Sequence, residues 1–308
     1  MKTLSRFMIG AMVAAATACG GGATQPTDDR IDVVATTNIV ADLIQTIGGD
    51  RVAVKALMGP GIDPHLYKAS AGDARRMSSA DVIFFSGLHL EGKMSEVLEQ
   101  MGEHGIRTVA VTDCVPEEAL IATSGFSGVH DPHVWFDVAL WSNTAACVAE
   151  ALVELDAGGA DGYRHRAEGF VEELEELDRW VRARTAELAP QRRVLVTAHD
   201  AFSYFGRAYD FEVRGLLGIS TTSEAGTSDV QELADFIAER QIPAIFVETS
   251  VPPRYIQALQ EAVRARGFAV EIGGSLFSDS LGDEGTPEGS YAGTVRANVE
   301  TIVTSLEE

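Results

Sequence analysis

The amino-acid sequence predicts an α/β fold with two lobes, each a parallel sheet flanked by helices, joined by one long rigid backbone helix. Short runs rich in β-branched residues alternate with amphipathic segments from residue 31 onward, which is typical of parallel sheets. The same alternation returns after residue 190. Between the two repeats lies a long stretch of helical periodicity, which indicates that a single helix connects them.

The N-terminal lobe is expected to span residues 31–158. Buried strands and amphipathic helices alternate along it, which places helices on both faces of the sheet. The predicted strands cover residues 31–36, 52–54, 82–85 and 108–111, and the predicted helices cover residues 39–47, 71–79 and 94–103.

The linking backbone helix is expected within residues 159–189. Residues 163–188 contain no proline, Pro190 follows them, and charges surround an apolar stripe of Phe170, Leu174, Leu177, Trp180 and Val181. At about 1.5 Å per residue, such a helix would run about 40 Å and could span both lobes. A coiled-coil partner helix is the alternative for so charged a stretch.

The C-terminal lobe is expected to span residues 190–308. Its pattern repeats that of the first lobe and again favours a parallel sheet. The predicted strands cover residues 193–196, 211–213, 244–247 and 268–272, and the predicted helices cover residues 229–240, 253–266 and 290–306.

The N-terminus has the features of an export signal. Lys2 and Arg6 give it a basic start, a short apolar run follows, and small residues lead to Cys19. That run is too short to span a bilayer. We therefore assign residues 1–18 to a lipoprotein signal peptide and residues 19–30 to a flexible tether. The protein is expected to be exported and extracytoplasmic, anchored by a lipid on Cys19 on the periplasmic side or the outer face of the cytoplasmic membrane; an ordinary secretory signal is the alternative.

Charge and cysteine content narrow the class of protein further. The formal net charge is −22 over 308 residues, and it becomes −24 without the two cations of the leader. A surface this acidic repels nucleic acid, so no nucleic-acid partner is expected. Outside the leader, Cys114 and Cys147 remain. They form either one disulfide, which an exported protein permits, or two buried free thiols.

Four residues with metal-binding side chains stand beside predicted strand or helix ends, two in each half of the chain. His65 follows a run of turn formers, His133 precedes a helix starting near Val138, His199 ends a strand, and Asp279 follows the last strand. Imidazole and carboxylate are ligands for zinc and other first-row divalent cations. Each residue taken singly also fits an ordinary role as a loop histidine or a turn aspartate.

Residues adjacent in sequence to His133 and His199 are expected to have structural roles. His130 is expected to be a loop residue, because Pro132 makes a helical pairing with His133 improbable. Trp135 is expected to be an aromatic of the core or of the lobe interface. Asp200 is expected to cap the helix that follows it or to orient an imidazole.

The sequence segments around these four residues resemble those of a known protein family. The phrases Asp63-Pro64-His65, residues 131–137, residues 198–205 and residues 278–282 resemble the metal-binding solute-binding lipoproteins of bacterial ABC importers for zinc, manganese and iron, known as solute-binding protein family 9, cluster A-I. Residues 35–40 and 246–253 add to this resemblance, which covers nearly everything after the tether.

The resemblance implies a non-enzymatic transport protein. Two lobes would clamp one divalent ion, with His65 and His133 from the first lobe and His199 and Asp279 from the second. An ABC permease and its ATPase subunit would be the partners of a monomeric binding protein. In this family a glutamate often replaces the third ligand in manganese specialists, and a long His-rich loop marks many zinc specialists. This chain has His199 and no such loop.

The chemistry of the donor set allows Zn²⁺ or Mn²⁺, with Fe²⁺ possible as well. Three imidazoles and one carboxylate suit tetrahedral Zn²⁺, whereas a bidentate Asp279 would make Mn²⁺ or Fe²⁺ acceptable. Neither cysteine lies in a ligand-spaced motif, so copper(I) is not expected. Because binding needs neutral imidazoles of ordinary pKa near 6.5, affinity is expected to fall below that pH.

A secreted hydrolase and a binding protein for an organic solute are the alternative functions. A secreted zinc-dependent hydrolase would need an open zinc position and a general base, for which Glu248 is the candidate. The sequence has no His-Glu-x-x-His helix and no nucleophile elbow, which disfavours the hydrolase and makes Glu248 a structural or ligand-orienting residue. A binding protein for an organic solute would place arginines beside the strand ends, and none is found there.

Overall fold

The computed structural model describes residues 30–123 and 130–307. The predicted signal peptide (residues 1–18), Cys19 and nearly all of the predicted tether lie outside these ranges. Within them, the chain has the expected mixed α/β architecture, with parallel sheets, flanking helices and one long helix.

The first lobe is built on a parallel sheet of four strands within the described residues, in the order β2-β1-β3-β4. Its strands are β1 (Ile31–Ala35), β2 (Val52–Ala56), β3 (Val82–Phe85) and β4 (Arg107–Ala110), and its helices are α1 (Asn38–Gly48), α2 (Ala71–Ser79) and α3 (Ser95–Glu103). Side-chain caps begin two of the helices. Thr37 accepts a hydrogen bond from the Val40 amide, and Ser70 and Asp73 form a capping box.

Two short helices complete this lobe, α4 (Val138–Trp141) and α5 (Thr144–Leu155). The predicted cap is confirmed, because the Asp137 side chain accepts from the Leu140 amide at the start of α4. By length and composition alone the stretch Val138–Leu155 could cross a membrane, but half of it is buried inside the fold. It therefore matches a pair of core helices, with Val148 and Leu152 fully buried.

The two cysteines left open by the sequence form a disulfide. Cys114, after β4, is bonded to Cys147 on α5, with their Cα atoms 5.8 Å apart. The bridge closes a loop of 33 residues in sequence separation, and that loop contains His133. It therefore fixes the segment that carries one predicted ligand to the body of the first lobe.

The linking helix α6 spans Ala160–Thr185, so it begins and ends three residues before the predicted stretch 163–188. Its 26 residues give a length of about 39 Å. Four residues of the predicted stripe, Phe170, Leu174, Leu177 and Val181, are buried, and the fifth, Trp180, is half-buried against the same core. The helix ends before Pro190 because residues 186–188 turn more tightly; the Leu188 amide donates to the Thr185 carbonyl.

The second lobe repeats the strand–helix alternation. Its elements are β5 (Val194–His199), α7 (Ser203–Tyr209), β6 (Glu212–Leu217), α8 (Thr227–Arg240), β7 (Ala244–Glu248), α9 (Arg254–Arg264), β8 (Glu271–Leu276) and α10 (Tyr291–Glu307). In the described part of the chain, ladder hydrogen bonds join β5 to β6 and β7 to β8, and both pairs are parallel. The lobe thus contains two strand pairs side by side, where one continuous sheet was expected.

The last strand begins three residues later than predicted. The prediction placed it at residues 268–272, whereas β8 starts at Glu271. The carbonyl of Val270 accepts a hydrogen bond from the Gln260 side chain on α9. Because the Val270 carbonyl is bonded to a side chain of α9, the ladder hydrogen bonds with β7 begin at the next residue, Glu271.

One hydrophobic cluster runs through both lobes, and each lobe also has a smaller cluster of its own. A single cluster of buried side chains includes Val33 on β1, Leu177 on α6, Phe246 on β7 and Ile302 on α10. Because α6 and α10 pack against both halves, the lobes share part of their interior. Relative movement of the lobes would have to break this packing, so wide opening is disfavoured.

Candidate metal centre

The carboxyl ends of the strands in both lobes face one cleft, which is where α/β sheets place their ligands. His199 is the last residue of β5, and Asp279 lies just beyond β8. From the first lobe, His65 lies in the loop after β2 and His133 lies between β4 and α4. The fold therefore brings together all four residues that the sequence nominated.

The four side chains form a compact buried cluster. His133 and His199 are fully buried, Asp279 is 1% exposed and His65 is 4% exposed. One donor atom from each residue lies within 4.8 Å of the other three. This is the spacing of ligands that share a single ion.

Three of the six distances among the donor atoms are close to the edges of a tetrahedral zinc site. The Nε2 atoms of His65 and His133 are 3.3 Å apart, and Oδ1 of Asp279 lies 3.5 Å from Nε2 of His133 and 3.4 Å from Nε2 of His199. Zinc bonds of about 2.0–2.1 Å give tetrahedron edges of about 3.3–3.4 Å. The donor set is therefore spaced for an ion of this size.

Two of these donor atoms lack any hydrogen-bond partner among the described residues. They are Nε2 of His199 and Oδ1 of Asp279, both buried. An unsatisfied buried polar atom costs about 1–3 kcal/mol. A bound cation would satisfy both atoms at once, so the residues present fit a metal ion.

Carboxylates orient two of the imidazoles. Nδ1 of His133 donates to Asp131 over 2.7 Å, and Nδ1 of His199 donates to Glu248 over 2.5 Å. Each carboxylate also accepts the backbone N–H of the same histidine. Holding the proton on Nδ1 leaves the Nε2 lone pair directed at the centre of the cluster, as in metal sites with carboxylate–histidine pairs.

His65 is held in a different way. Asp63 accepts the backbone N–H of His65, and its other oxygen accepts a hydrogen bond from the Thr221 hydroxyl over 2.6 Å across the cleft. Both Asp-Pro-His segments thus form the same backbone turn, but only Asp131 also binds an imidazole. On the fourth ligand, Oδ2 of Asp279 accepts from Ser250, which leaves Oδ1 facing the three histidines.

The electrostatics of the cluster fix its charges. Burial disfavours the charged form of His133, but Asp131 and Asp279 outweigh it and raise the His133 pKa to about 9. The pKa of His199 is likewise raised, because Glu248 and Asp279 outweigh its burial. The pKa of Asp279 is lowered by the nearby histidines despite its burial. Burial lowers the pKa of His65 to about 3.

These shifts correct the expectation of ordinary imidazoles. With a pKa raised to about 9, His133 favours its protonated form at neutral pH, and the raised pKa of His199 acts in the same direction, so a metal ion bound here would compete with protons. His65 remains neutral and offers a free lone pair. The competition between proton and metal therefore extends to a higher pH than 6.5.

The neighbouring residues mostly have the structural roles expected. Trp135 donates from Nε1 to the Ser278 carbonyl and so joins the lobes. His130 lies outside the cluster, where its backbone bridges to Ala122. Asp200 is not the N-cap of α7, because Phe202 holds that position. The Asp200 carboxylate accepts a hydrogen bond from the Ser203 hydroxyl instead.

Two residues of the site were missed from the sequence. The signal for Asp131 is its place two residues before His133, which is typical of a turn in which the carboxylate accepts from that histidine. Ser250 gave no signal at all, because its contact with Asp279 joins the ends of different strands.

Comparison with known proteins places the chain in a family. A family model described as ZnuA, zinc-uptake complex component A, periplasmic, matches residues 33–305. The zinc-binding protein TroA of Treponema pallidum (strain Nichols) is 49% identical over 280 residues, covering 91% of this chain and 90% of TroA. The manganese-binding lipoprotein MntA of Bacillus subtilis (strain 168) is 46% identical over 294 residues, 95% of each chain.

The fold agrees with this assignment. The solved structure of the periplasmic zinc-binding protein TroA from Treponema pallidum has a TM-score of 0.87 to this chain at 48% identity, covering 90% of this chain and 99% of that one. More distant relatives are named as ABC transporter substrate-binding lipoproteins. The hydrolase alternative has no support among these relatives. The chain therefore belongs to the ZnuA family, whose members are metal-binding substrate-binding proteins of ABC importers and not enzymes.

Proposed function

We propose that His65, His133, His199 and Asp279 together bind one divalent transition-metal ion, which the protein captures outside the cytoplasm and delivers to an ABC permease driven by its ATPase subunit. The observation that carries this proposal is the buried cluster of four donor atoms within 4.8 Å of one another. Two unpartnered donor atoms in that cluster support it.

The cargo is Zn²⁺ or Mn²⁺, and Fe²⁺ also fits the donor set. Relatives of nearly equal similarity are named for zinc and for manganese, so both ions are candidates for the ion carried in the cell. In purified protein we expect zinc to bind more tightly than manganese, because imidazole-rich sites follow the Irving–Williams order. Three donor distances of 3.3–3.5 Å, close to the edges of a zinc tetrahedron, support the same preference.

The protein acts as a monomer tethered to the membrane. A lipid on Cys19 anchors it, and the relatives named as lipoproteins support that anchor. Residues 19–30 form the tether, residues 31–158 and 190–308 form the two lobes, and residues 159–189 form the connection between them. Because the lobes share a core, release of the metal uses local movement of the cleft loops more than a wide hinge opening.

The test is metal stoichiometry in a double variant. His65→Ala/His199→Ala removes one ligand from each lobe and should abolish tight zinc binding, whereas the wild-type protein should retain one ion per chain after dialysis. Far-UV circular dichroism should stay unchanged, because neither side chain belongs to the hydrophobic core. The control is His104→Ala/His165→Ala, which removes two exposed imidazoles from helix surfaces.

Elemental analysis of the dialysed proteins decides the outcome. Zinc retained by the double variant at wild-type stoichiometry would contradict the ligand assignment. Loss of zinc from the control variant as well would show that exposed histidines hold it.

A further inference from the structure

A small cavity lies between the lobes and borders the proposed metal centre at His65. It has a volume of about 240 Å³ and is lined by His65, His89 and Lys93 from the first lobe and by Ser220 and Thr222 from the second. We call it the mouth. His65 is the most exposed of the four proposed ligands, and it is the one that lines the mouth. An ion that enters through the mouth would therefore reach His65 before the other three proposed ligands.

The loop that carries His89 to the mouth has an unusual backbone. Gly87, Leu88 and His89 have φ angles of 95°, 52° and 66°, all in the left-handed region. Side chains other than glycine rarely adopt that region, and two such residues in succession are less common still. Such strain persists only where the surrounding structure holds it, and it concentrates at functional sites.

Buried contacts hold this loop in place. The carboxylate of Glu91 is buried and accepts hydrogen bonds from the Ser86 amide, the Gly87 amide and the Thr36 hydroxyl at the end of β1. Leu90 is also buried. Between these anchors His89 is exposed, so the fold fixes the loop and directs one imidazole to the mouth.

We propose that His89 is a capture ligand, which binds an incoming divalent cation at the mouth and passes it to His65. This inference rests on the proposed function and adds the route by which the ion enters. Lys93 lines the same mouth, and its ammonium repels a divalent cation. An imidazole at this position supplies the coordination that offsets this repulsion.

A capture ligand that is absent from the final site lowers the barrier in both directions. Substituting it should therefore slow association and dissociation equally and leave Kd unchanged. His89→Asn keeps a residue that tolerates the left-handed backbone but removes the imidazole. We expect both rate constants for Zn²⁺ to fall by about tenfold.

His89→Asp tests whether coordination or shape is responsible. Aspartate also tolerates the left-handed backbone and supplies a carboxylate ligand, so it should restore exchange to near the wild-type rate. The control is His165→Asn, which removes an exposed imidazole from α6 far from the mouth and should leave both rate constants unchanged.

The measurement is stopped-flow fluorescence with Zn²⁺ alone, followed by release to a chelator. Trp135 is a suitable reporter, because its ring lies 5.3 Å from that of His133. Wild-type rates in His89→Asn, or slow rates in both His89 variants, would overturn the capture role. If the wild-type protein itself bound no zinc, the proposed function would fall with it, and the equilibrium titration shows this separately from the kinetics.

Discussion

Glu248 and Asp131 orient two histidines of the candidate metal centre without belonging to the proposed ligand set. Each holds a proton on Nδ1 of a buried histidine and so fixes which nitrogen can bind metal. Neither role requires contact with the ion. Substituting these carboxylates should therefore change zinc affinity while leaving the four proposed ligands in place.

Replacing Glu248 by glutamine should weaken zinc binding by about 10–100-fold. The amide has one oxygen for the two N–H groups of His199 that Glu248 accepts, so its NH₂ group would favour the tautomer with a proton on Nε2. Competition with a fluorescent chelator measures the affinity. Glu239→Gln, on the exposed face of α8, is the control, and an affinity of Glu248→Gln equal to that of the control would contradict the orienting role.

The pH dependence follows from the raised pKa of His133. This group contributes stability that is fully present below its ordinary pKa of 6.5 and is lost as pH rises through about 9. The contribution of His133 to the free energy of unfolding of the metal-free protein should therefore decrease between pH 6.5 and 9. Zinc affinity should rise over the same interval, because fewer protons must be displaced.

Isothermal titration calorimetry at several pH values, in buffers of different ionisation enthalpy, measures both the affinity and the protons released. We expect net proton release at pH 7. A zinc affinity that is constant from pH 6.5 to 9, with no proton release, would contradict the assignment of protons to His133 and His199.

The sequence nominated the four side chains that the fold brings together, but it did not show the hydrogen-bond partners that hold them. His65, His133, His199 and Asp279 stand next to strand or helix ends, so local pattern was sufficient to nominate them. Partners such as Thr221 and Ser250 lie in other loops, and their contacts depend on how the strands pack. Only a partner that is close in sequence, such as Asp131 two residues before His133, can be recognised from the sequence.

Among the elements, the disulfide makes the clearest contribution to stability. The Cys114–Cys147 bridge closes a loop of 33 residues, and loop entropy of that size corresponds to about 3–4 kcal/mol. Cys114→Ser/Cys147→Ser should lower the free energy of unfolding by that amount in urea titrations. Zinc affinity should change little, because Asp131 and the buried packing of His133 remain. Equal stability of the variant and the oxidised wild-type protein would contradict this contribution.

The long helix α6 fastens the first lobe through an arginine. Arg166 donates to the carbonyls of Ile47 and Gly48, at the carboxyl end of α1. A cation there satisfies free carbonyls and opposes the helix dipole. Arg166→Met should lower the free energy of unfolding by about 1–2 kcal/mol, with zinc affinity unchanged. Arg179→Met, at an exposed position of the same helix, is the control, and an equal loss in both would show that the contact with α1 contributes nothing.

Element positions were predicted to within a few residues, and the errors have local causes. The predicted helical stretch ends at Leu188, and Leu188 is buried, yet it lies in the tighter turns beyond α6. The start of β8 is delayed because Gln260 binds the Val270 carbonyl. Periodicity records which residues are buried, and it does not record where hydrogen bonding changes from one pattern to another.

For the whole molecule, the shared core predicts a small change in shape on metal binding. Side chains of both lobes pack with α6 and α10 in one cluster. The radius of gyration from small-angle X-ray scattering should therefore differ by less than about 1 Å between metal-free and zinc-loaded protein. The His65→Ala/His199→Ala variant mixed with zinc provides the control. A contraction of several ångströms on loading would show that the lobes swing as separate bodies.

The two-lobed fold itself was predictable because strand and helix patterns repeat on either side of one long helix. The division of the second sheet into two strand pairs was not predictable, since it depends on spacing between strands β5 and β7. The shared core was also beyond the sequence, because it joins residues as distant as Val33 and Ile302.

The most direct test of the account is anomalous X-ray diffraction from crystals of the zinc-loaded protein, measured at the zinc absorption edge. We expect one peak inside the cluster, about 2.0–2.2 Å from Nε2 of His65, His133 and His199 and from an oxygen of Asp279. A peak bound by other residues, or no peak between the lobes, would contradict it.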